Sequence, residues 1–262
     1  MTRQNFYKQR KERQRKQVDE EIVVSLVDRE RWLQPRRGVR KLYWLLGDEL
    51  RESGVVIGRD RMFEILRRNG RLLSPLPRSA RTTNSYHTLP VFRNLILEVE
   101  ATGANQIWVS DITYIRTDAG FEYLSLIQDL YSHKIVGYHS GTSLDAAGPV
   151  TALSKALAEL PEGCFPIHHS DRGCQYCSHE YVGQLQQRGL SISMTQENHC
   201  YENASAERLN GILKQEYGLG GSFRTRAQAR RAVEQAVWLY NNRRPHTSLG
   251  MGFPAEVHRQ AA

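Results

Sequence analysis

The chain reads as an α/β protein, a mixed sheet with flanking helices, preceded by an all-α unit. Three observations predict this. Hydrophobic periodicity changes from helical to strand-like after Ala104. The elements that follow run βββαβαβα. Positive charge gathers at the N-terminal end, where residues 1–100 hold 22 Lys and Arg against 13 Asp and Glu. Residues 101–262 hold 14 against 15, within a net charge of +8. A basic module beside a near-neutral one fits a protein that neutralises phosphates through one of its parts.

The elements follow in order. Residues 3–21 are charged and carry few large apolar side chains beyond Phe6 and Tyr7, so they read as a solvated arm or helix. An amphipathic stretch runs from Ile22 to Trp32 and stops at Pro35-Arg36-Arg37-Gly38. Leu42, Leu45, Leu46 and Leu50 keep helical spacing over Val39–Leu50, and Ser53-Gly54 marks a turn. Met62, Ile65 and Leu66 share one side of a helix over Arg59–Arg68. Two short helices joined through a glycine turn, the second rich in arginine, predict a helix-turn-helix DNA reader. Its candidate DNA contacts are Arg40, Lys41, Arg59, Arg61, Arg67 and Arg68. The domain plan is 1–85 for the basic arm and reader, 86–104 for a Pro/Ser/Thr/Asn-bearing linker, and 105–262 for the catalytic part with its C-terminal helix and tail.

Ile107–Ile115, Phe121–Leu130 and Lys134–Ser140 are β-branched and aromatic runs separated by turn signals at Asp118-Ala119-Gly120 and Ser132-His133. The pattern then predicts a helix over Asp145–Leu160 and a strand over Phe165–His169. A helix over His179–Arg188, a strand over Ser191–Thr195, and helices over Asn203–Tyr217 and Thr225–Asn241 complete it. No apolar run approaches the roughly 20 residues that cross a bilayer, and no apolar signal region opens the chain. A soluble cytoplasmic protein without membrane partners is expected, with Cys164, Cys174, Cys177 and Cys200 as free thiols.

Three acids carry the functional reading. Asp111 lies inside WVSDITYI, Asp171 inside HHSDRGCQY and Glu207 inside NASAERLNGILK, with 35 residues between the second and third. Taken singly, each is more simply a turn cap or a surface charge. Asp111 resists that reading, because an acid that interrupts an apolar strand is costly to bury without a partner. Three hard oxygen ligands on separate elements suit a pair of divalent ions, about 3.5–4 Å apart, that clamp the attacking and leaving oxygens of phosphoryl transfer. At about 100° per residue, Glu207 shares a helix face with Asn203, Asn210, Gly211 and Lys214, beside an apolar stripe of Ala206, Leu209 and Leu213. Glu216 falls on the far side. Lys214 is placed to meet a DNA phosphate.

At these residues the chain resembles the DDE transposases of bacterial insertion sequences, above all the OrfB-type catalytic product of insertion-sequence family three, related to retroviral integrases. The three acidic motifs carry the resemblance together with YNNRRPHTSLGMGFPAE, from Tyr240 to Glu256, and GVRKLYWLL…GRDRMFEILRRNG. It covers residues 20 to 257, with the motifs in the family's order. It implies a ribonuclease-H-like core, a Mg2+ (or Mn2+) requirement with two ions, and action on the terminal inverted repeats of a mobile element and on target DNA. Strand cleavage, strand transfer and a homo-oligomer assembled on DNA follow from it, with Arg243 and Arg244 as further DNA contacts. In that family an upstream product is commonly joined by ribosomal frameshifting. Glu202 stands where the family often has Asp, and Cys174 and Cys177 where it often has small residues.

Other motifs weigh less. Cys174-x-x-Cys177 with His168, His169, His179 and Cys200 nearby lacks the second pair that a zinc site needs. His169 reads as a packing residue, Gly218-Leu219-Gly220-Gly221 as a turn, and Trp32, Trp44, Trp108 and Trp238 as core. The alternatives to a transposase are an inactive, repurposed DNA-binding protein and a ribonuclease H. The latter would leave the arginine-rich N-terminal region unexplained.

Overall fold

The computed structural model describes residues 3–74, 89–196 and 203–261, with side chains from residue 15 onward. It divides into two compact units, residues 1–78 and 79–262.

The first unit is all helical. The 31-residue helix α1 (Arg3–Leu33) is followed by α2 (Val39–Leu45), α3 (Gly47–Glu52) and α4 (Arg59–Arg68). The run expected as one helix over 39–50 is divided at Leu46, next to Gly47, the residue of poorest helix propensity in it. Val23, Val27, Leu42, Leu46, Leu50, Val55, Met62, Ile65 and Leu66 form its core. Arg37 and Glu30 form a buried ion pair at 2.6 Å, and Arg61 and Arg68 both reach Glu20 of α1.

The second unit is built on a six-stranded mixed sheet. Its strands are β1 (Ile107–Thr117), β2 (Gly120–Asp129), β3 (Ile135–Gly141), β4 (Ile167–Ser170), β5 (Ser191–Met194) and the short β6 (Ser222–Phe223). The order is β3-β2-β1-β4-β5, with β6 joined to the far end of β1. The first three strands are antiparallel, while β4 runs parallel to β1 and β5 parallel to β4. Helices α5 (Ala147–Glu159) and α6 (His179–Gln187) cover one face. Helices α7 (Ala204–Glu216) and α8 (Arg226–Arg243) cover the other, and α9 (Pro254–Ala261) follows.

Each β1 residue serves the face its parity dictates. Trp108 and Ile112 pack with α5 and α6, whereas Ile107 and Val109 pack with Ala206 of α7, and Ile115 with Leu209 and Leu213. On the first face α5 lies so close to β3 that a Cβ on Gly137 would stand 2.3 Å from the Ala152 carbonyl oxygen.

Several expectations change. The strand predicted from Phe165 begins at Ile167, because Pro166 has no N–H for the ladder and Phe165 is exposed. The predicted series omitted β6 and α9, which the sequence periodicity does not mark. Of the four tryptophans only Trp108 is core. Trp32 is 82% exposed, and Trp44 and Trp238 also face solvent. Each lies two residues from a buried position of its own helix (Glu30, Leu42, and Ala236 with Tyr240), about 200° round the axis. Among the described residues no helix is long and apolar enough to cross a membrane. Cys200 and Glu202 lie outside the described residues.

Candidate active site

Asp111 stands in the middle of β1, on the side that faces α7. On that side it is flanked by Val109, apolar and buried, and by Thr113, polar and buried, with buried Ile115 beyond. β4 pairs with β1 in the register Val109 to His169, so two further places bring Asp171, just past the end of β4, level with Asp111. Glu207 lies in the first turn of α7 and is exposed.

Both other acids act on Asp111 electrostatically. Asp111 is pushed up to about 7, first by burial, then by the negative charge of Asp171 and, to a smaller extent, of Glu207. The Ile112 N–H and the Asn210 amide oppose that shift. Its side chain keeps some solvent contact by surface area, yet protein surrounds it densely enough for burial to dominate.

Hydrogen bonds fix both aspartates. Asp111 Oδ1 accepts from the Ile112 N–H at 2.8 Å, and Oδ2 accepts from Asn210 Nδ2 at 2.7 Å. Asp171 Oδ1 accepts from the Gly173 N–H at 2.9 Å, closing a tight turn as the chain leaves β4. The Arg172 guanidinium donates to the Thr195 carbonyl at 2.6 Å and ties that turn to the end of β5.

Helix α7 is registered on β1 by two asparagines. Asn203 donates to the Ser110 carbonyl at 3.1 Å, and Asn210 donates to Asp111. Ser205 bonds Gln128 of β2 at 3.2 Å. Asn203 and Asn210 belong to the helix face predicted to carry Glu207, so that face does meet β1. Sequence reasoning named Asn210 only as a face mate; its place three residues after Glu207 was the available signal.

On the opposite face of the sheet lies a buried polar cluster that the sequence did not reveal. His168 Nε2 stands 2.7 Å from Ser110 Oγ and 2.8 Å from Tyr181 Oη, and burial holds the ring down to about 3, so it is neutral. On Asp111's own side of the sheet, His169, in register with Val109, is buried with its Nδ1 2.8 Å from Ser193 Oγ. Cys177 is buried with its Sγ 3.7 Å from Met194 Sδ, and Cys174 is exposed.

The candidate DNA contacts divide by environment. Lys214 lies 4.3 Å above the Tyr114 ring, and burial lowers its pKa despite Tyr114 and Asp111. Arg40 is exposed and Lys41 half-buried. Arg59 is an exposed partner of Asp60, Arg67 lies over Phe63, and Arg61 and Arg68 are engaged by Glu20. Arg243 is half-buried. Arg244 departs from expectation. It is 4% exposed, bonded to Glu216 at 2.9 and 2.7 Å and to His246 at 2.9 Å, so its guanidinium is enclosed in the fold instead of facing a DNA phosphate. Two further residues of that motif are architectural. Tyr240 accepts from Gln128 at 3.0 Å, and Asn241 bonds both the N–H and the carbonyl of Ile135.

Among the described residues no three His, Cys, Asp or Glu side chains converge closely enough to hold an ion as they stand. The donor set nevertheless suits a hard divalent cation. Asp111 feels like-charge repulsion from Asp171 and, more weakly, Glu207, a field that a bound cation would offset.

Comparison with known proteins extends this picture. Two family models described as "Integrase core domain" match residues 101–200 and 188–254. The chain is 37% identical over 255 residues to an insertion element IS600 uncharacterized 31 kDa protein of Shigella sonnei, covering 95% of this chain and 92% of that one. It is 35% identical over 207 residues to transposase InsF for insertion sequence IS3A of Escherichia coli, covering 78% and 72%. A simian T-cell lymphotropic virus intasome structure aligns over 84% of this chain and 74% of its own, with a TM-score of 0.53 at 19% identity. That likeness is one of fold, the ribonuclease-H-like sheet with its flanking helices. Sequence identity and core architecture together place the chain in the integrase-core transposase family of IS3-type insertion sequences.

Proposed function

We propose that the chain is a DDE transposase that cuts DNA at the terminal inverted repeats of an insertion sequence and joins the freed end to new DNA. Asp111, Asp171 and Glu207 are its ligands for two divalent ions, Mg2+ or Mn2+. The observation that carries this reading is Asp111 itself, a carboxylate set in an apolar strand and raised to about 7 by burial and by the other two acids.

When bound, the ions would activate water or a 3′-hydroxyl and offset charge on the phosphoryl group in flight. The protein's task is then to aim oxygen ligands. β1 and the turn after β4 supply the two aspartates from a rigid sheet, and α7 brings the glutamate across from the helix layer. Lys214, cradled over Tyr114 and within the field of Asp111, offers a cation for a DNA phosphate beside the carboxylates. No hydroxyl of the protein need attack phosphorus, so the reaction passes through no covalent protein–DNA link.

Residues 1–85 form the DNA reader in this scheme, residues 86–104 a linker and residues 105–262 the catalytic part. α4 is the recognition helix, with Arg59 and Arg67 toward DNA and Arg40 and Lys41 of α2 supporting them. The protein works in the cytoplasm as an oligomer on DNA, alone or joined to an upstream frameshift partner. The test is cleavage of a duplex carrying one element end in Mg2+. Asp111→Asn, Asp171→Asn and Glu207→Gln should each abolish product while leaving DNA binding within about twofold. Undiminished cleavage by any of the three removes that residue from the site.

A further inference from the structure

We propose that Asn210 is a positioning residue for the reaction, acting through Asp111. This rests on the reading of Asp111 as a cation ligand and adds to it a residue outside the three acids. The amide Nδ2 donates to Asp111 Oδ2 at 2.7 Å while the Ile112 N–H donates to Oδ1 at 2.8 Å, so each carboxylate oxygen is anchored by one donor. An ionised carboxylate offers about four acceptor directions. Two anchors therefore lock its plane and leave one lone pair on each oxygen for cations.

The amide orientation follows from chemistry. Turned the other way, Asn210 would set its carbonyl against a carboxylate oxygen, acceptor to acceptor. Asn210 is 9% exposed, and among the described residues its buried Oδ1 meets no hydrogen-bond donor. A buried amide whose carbonyl has no partner costs stability, so its place is not explained by folding alone. That acceptor, on the same amide group as the donor to Asp111, suits a water of a cation's own shell.

The helix supplies the rest. Asn203 and Asn210 lie seven residues apart, two turns on one face, and both grip β1. Glu207 stands between them, so the pair sets the level at which the third acid meets the first. Asn203 acts on the Ser110 backbone and Asn210 on the ligand itself, which is why Asn210 is the one that tunes the site.

The test uses the full-length chain. Calorimetric titration with Mn2+ alone reads the site without catalysis, and steady-state cleavage of end DNA in Mg2+ reads kcat and KM apart. Asn210→Ala and Asn210→Leu, which keeps the number of side-chain heavy atoms without the amide, should weaken Mn2+ binding about 10- to 100-fold, the usual loss when a residue that orients a metal ligand is removed. They should lower kcat similarly, with KM for DNA and the melting temperature little changed. Asn210→Gln keeps the donor and should recover part of both. Parent-like Mn2+ affinity in Asn210→Leu overturns the proposal, because volume alone then suffices. Equal losses in Asn210→Gln and Asn210→Leu, tracking a lowered melting temperature, also overturn it in favour of a purely structural asparagine. Should Asn210→Ala not fold, the Leu and Gln variants decide. An Asp111→Asn control that still binds Mn2+ and cleaves would refute the site reading beneath it instead.

Discussion

The Arg244 guanidinium meets the Glu216 carboxylate through two hydrogen bonds, at 2.9 and 2.7 Å, joining the end of α8 to the last turn of α7. α7 also carries Glu207, so this pair braces the helix that presents the third acid. Arg244→Ala should lower unfolding stability by about 3 kcal/mol, because removing one member of a buried pair strands the other. Replacing both, as Arg244→Met with Glu216→Leu, should cost less than either single change. Denaturant midpoints with unchanged slopes would measure this; an unaltered midpoint for Arg244→Ala would mean that the pair contributes nothing.

A pH dependence follows from Asp111. Its folded value of about 7 lies above its ordinary 3.8, so the folded state holds the proton more tightly than the unfolded chain. The stabilising contribution is complete below about pH 4 and is lost as pH rises through 7. At 1.36 kcal/mol per unit, the loss is at most about 4 kcal/mol. Metal-free protein should therefore melt at a lower temperature at pH 8 than at pH 5.5, and Asp111→Asn should flatten that slope. A parent protein with no greater fall than the variant would contradict the assignment.

The contact at Gly137 makes a packing prediction. A methyl group there would stand 2.3 Å from the Ala152 oxygen and 2.9 Å from Ala156 Cβ, so α5 must move away from β3. Gly137→Ala should cost about 1–3 kcal/mol, the range for an overfilled core. Full stability would show that α5 shifts without resistance.

The DNA reader can be tested by salt. Arg67→Ala should weaken binding to end DNA and to unrelated DNA alike, and reduce the salt slope by about one. Arg244→Ala, whose side chain is enclosed, should leave that slope unchanged. A reversed outcome would exchange the roles given to the two arginines.

Much of the catalytic part was legible because its signals are local. β1, β2 and β3 announce themselves by β-branched and aromatic runs, and Asp111 is conspicuous as a charge among them. The face shared by Asn203, Glu207 and Asn210 follows from helix geometry alone. What remained hidden depends on partners distant in the chain. Arg244 looks like a free cation until Glu216, 28 residues earlier, is placed beside it. His168 becomes a buried neutral ring only when Ser110 and Tyr181 close around it. Trp32, Trp44 and Trp238 sit in stripes that look apolar in sequence, but burial depends on which neighbouring element covers them, and these three stay largely exposed.

The most direct test is diffraction from crystals grown with Mn2+, recorded for its anomalous signal with an end-DNA duplex bound. The account predicts two peaks about 3.5–4 Å apart, enclosed by Asp111, Asp171 and Glu207 oxygens. Mn2+ bound elsewhere, or a Glu207 side chain turned away from both aspartates in that complex, would contradict it.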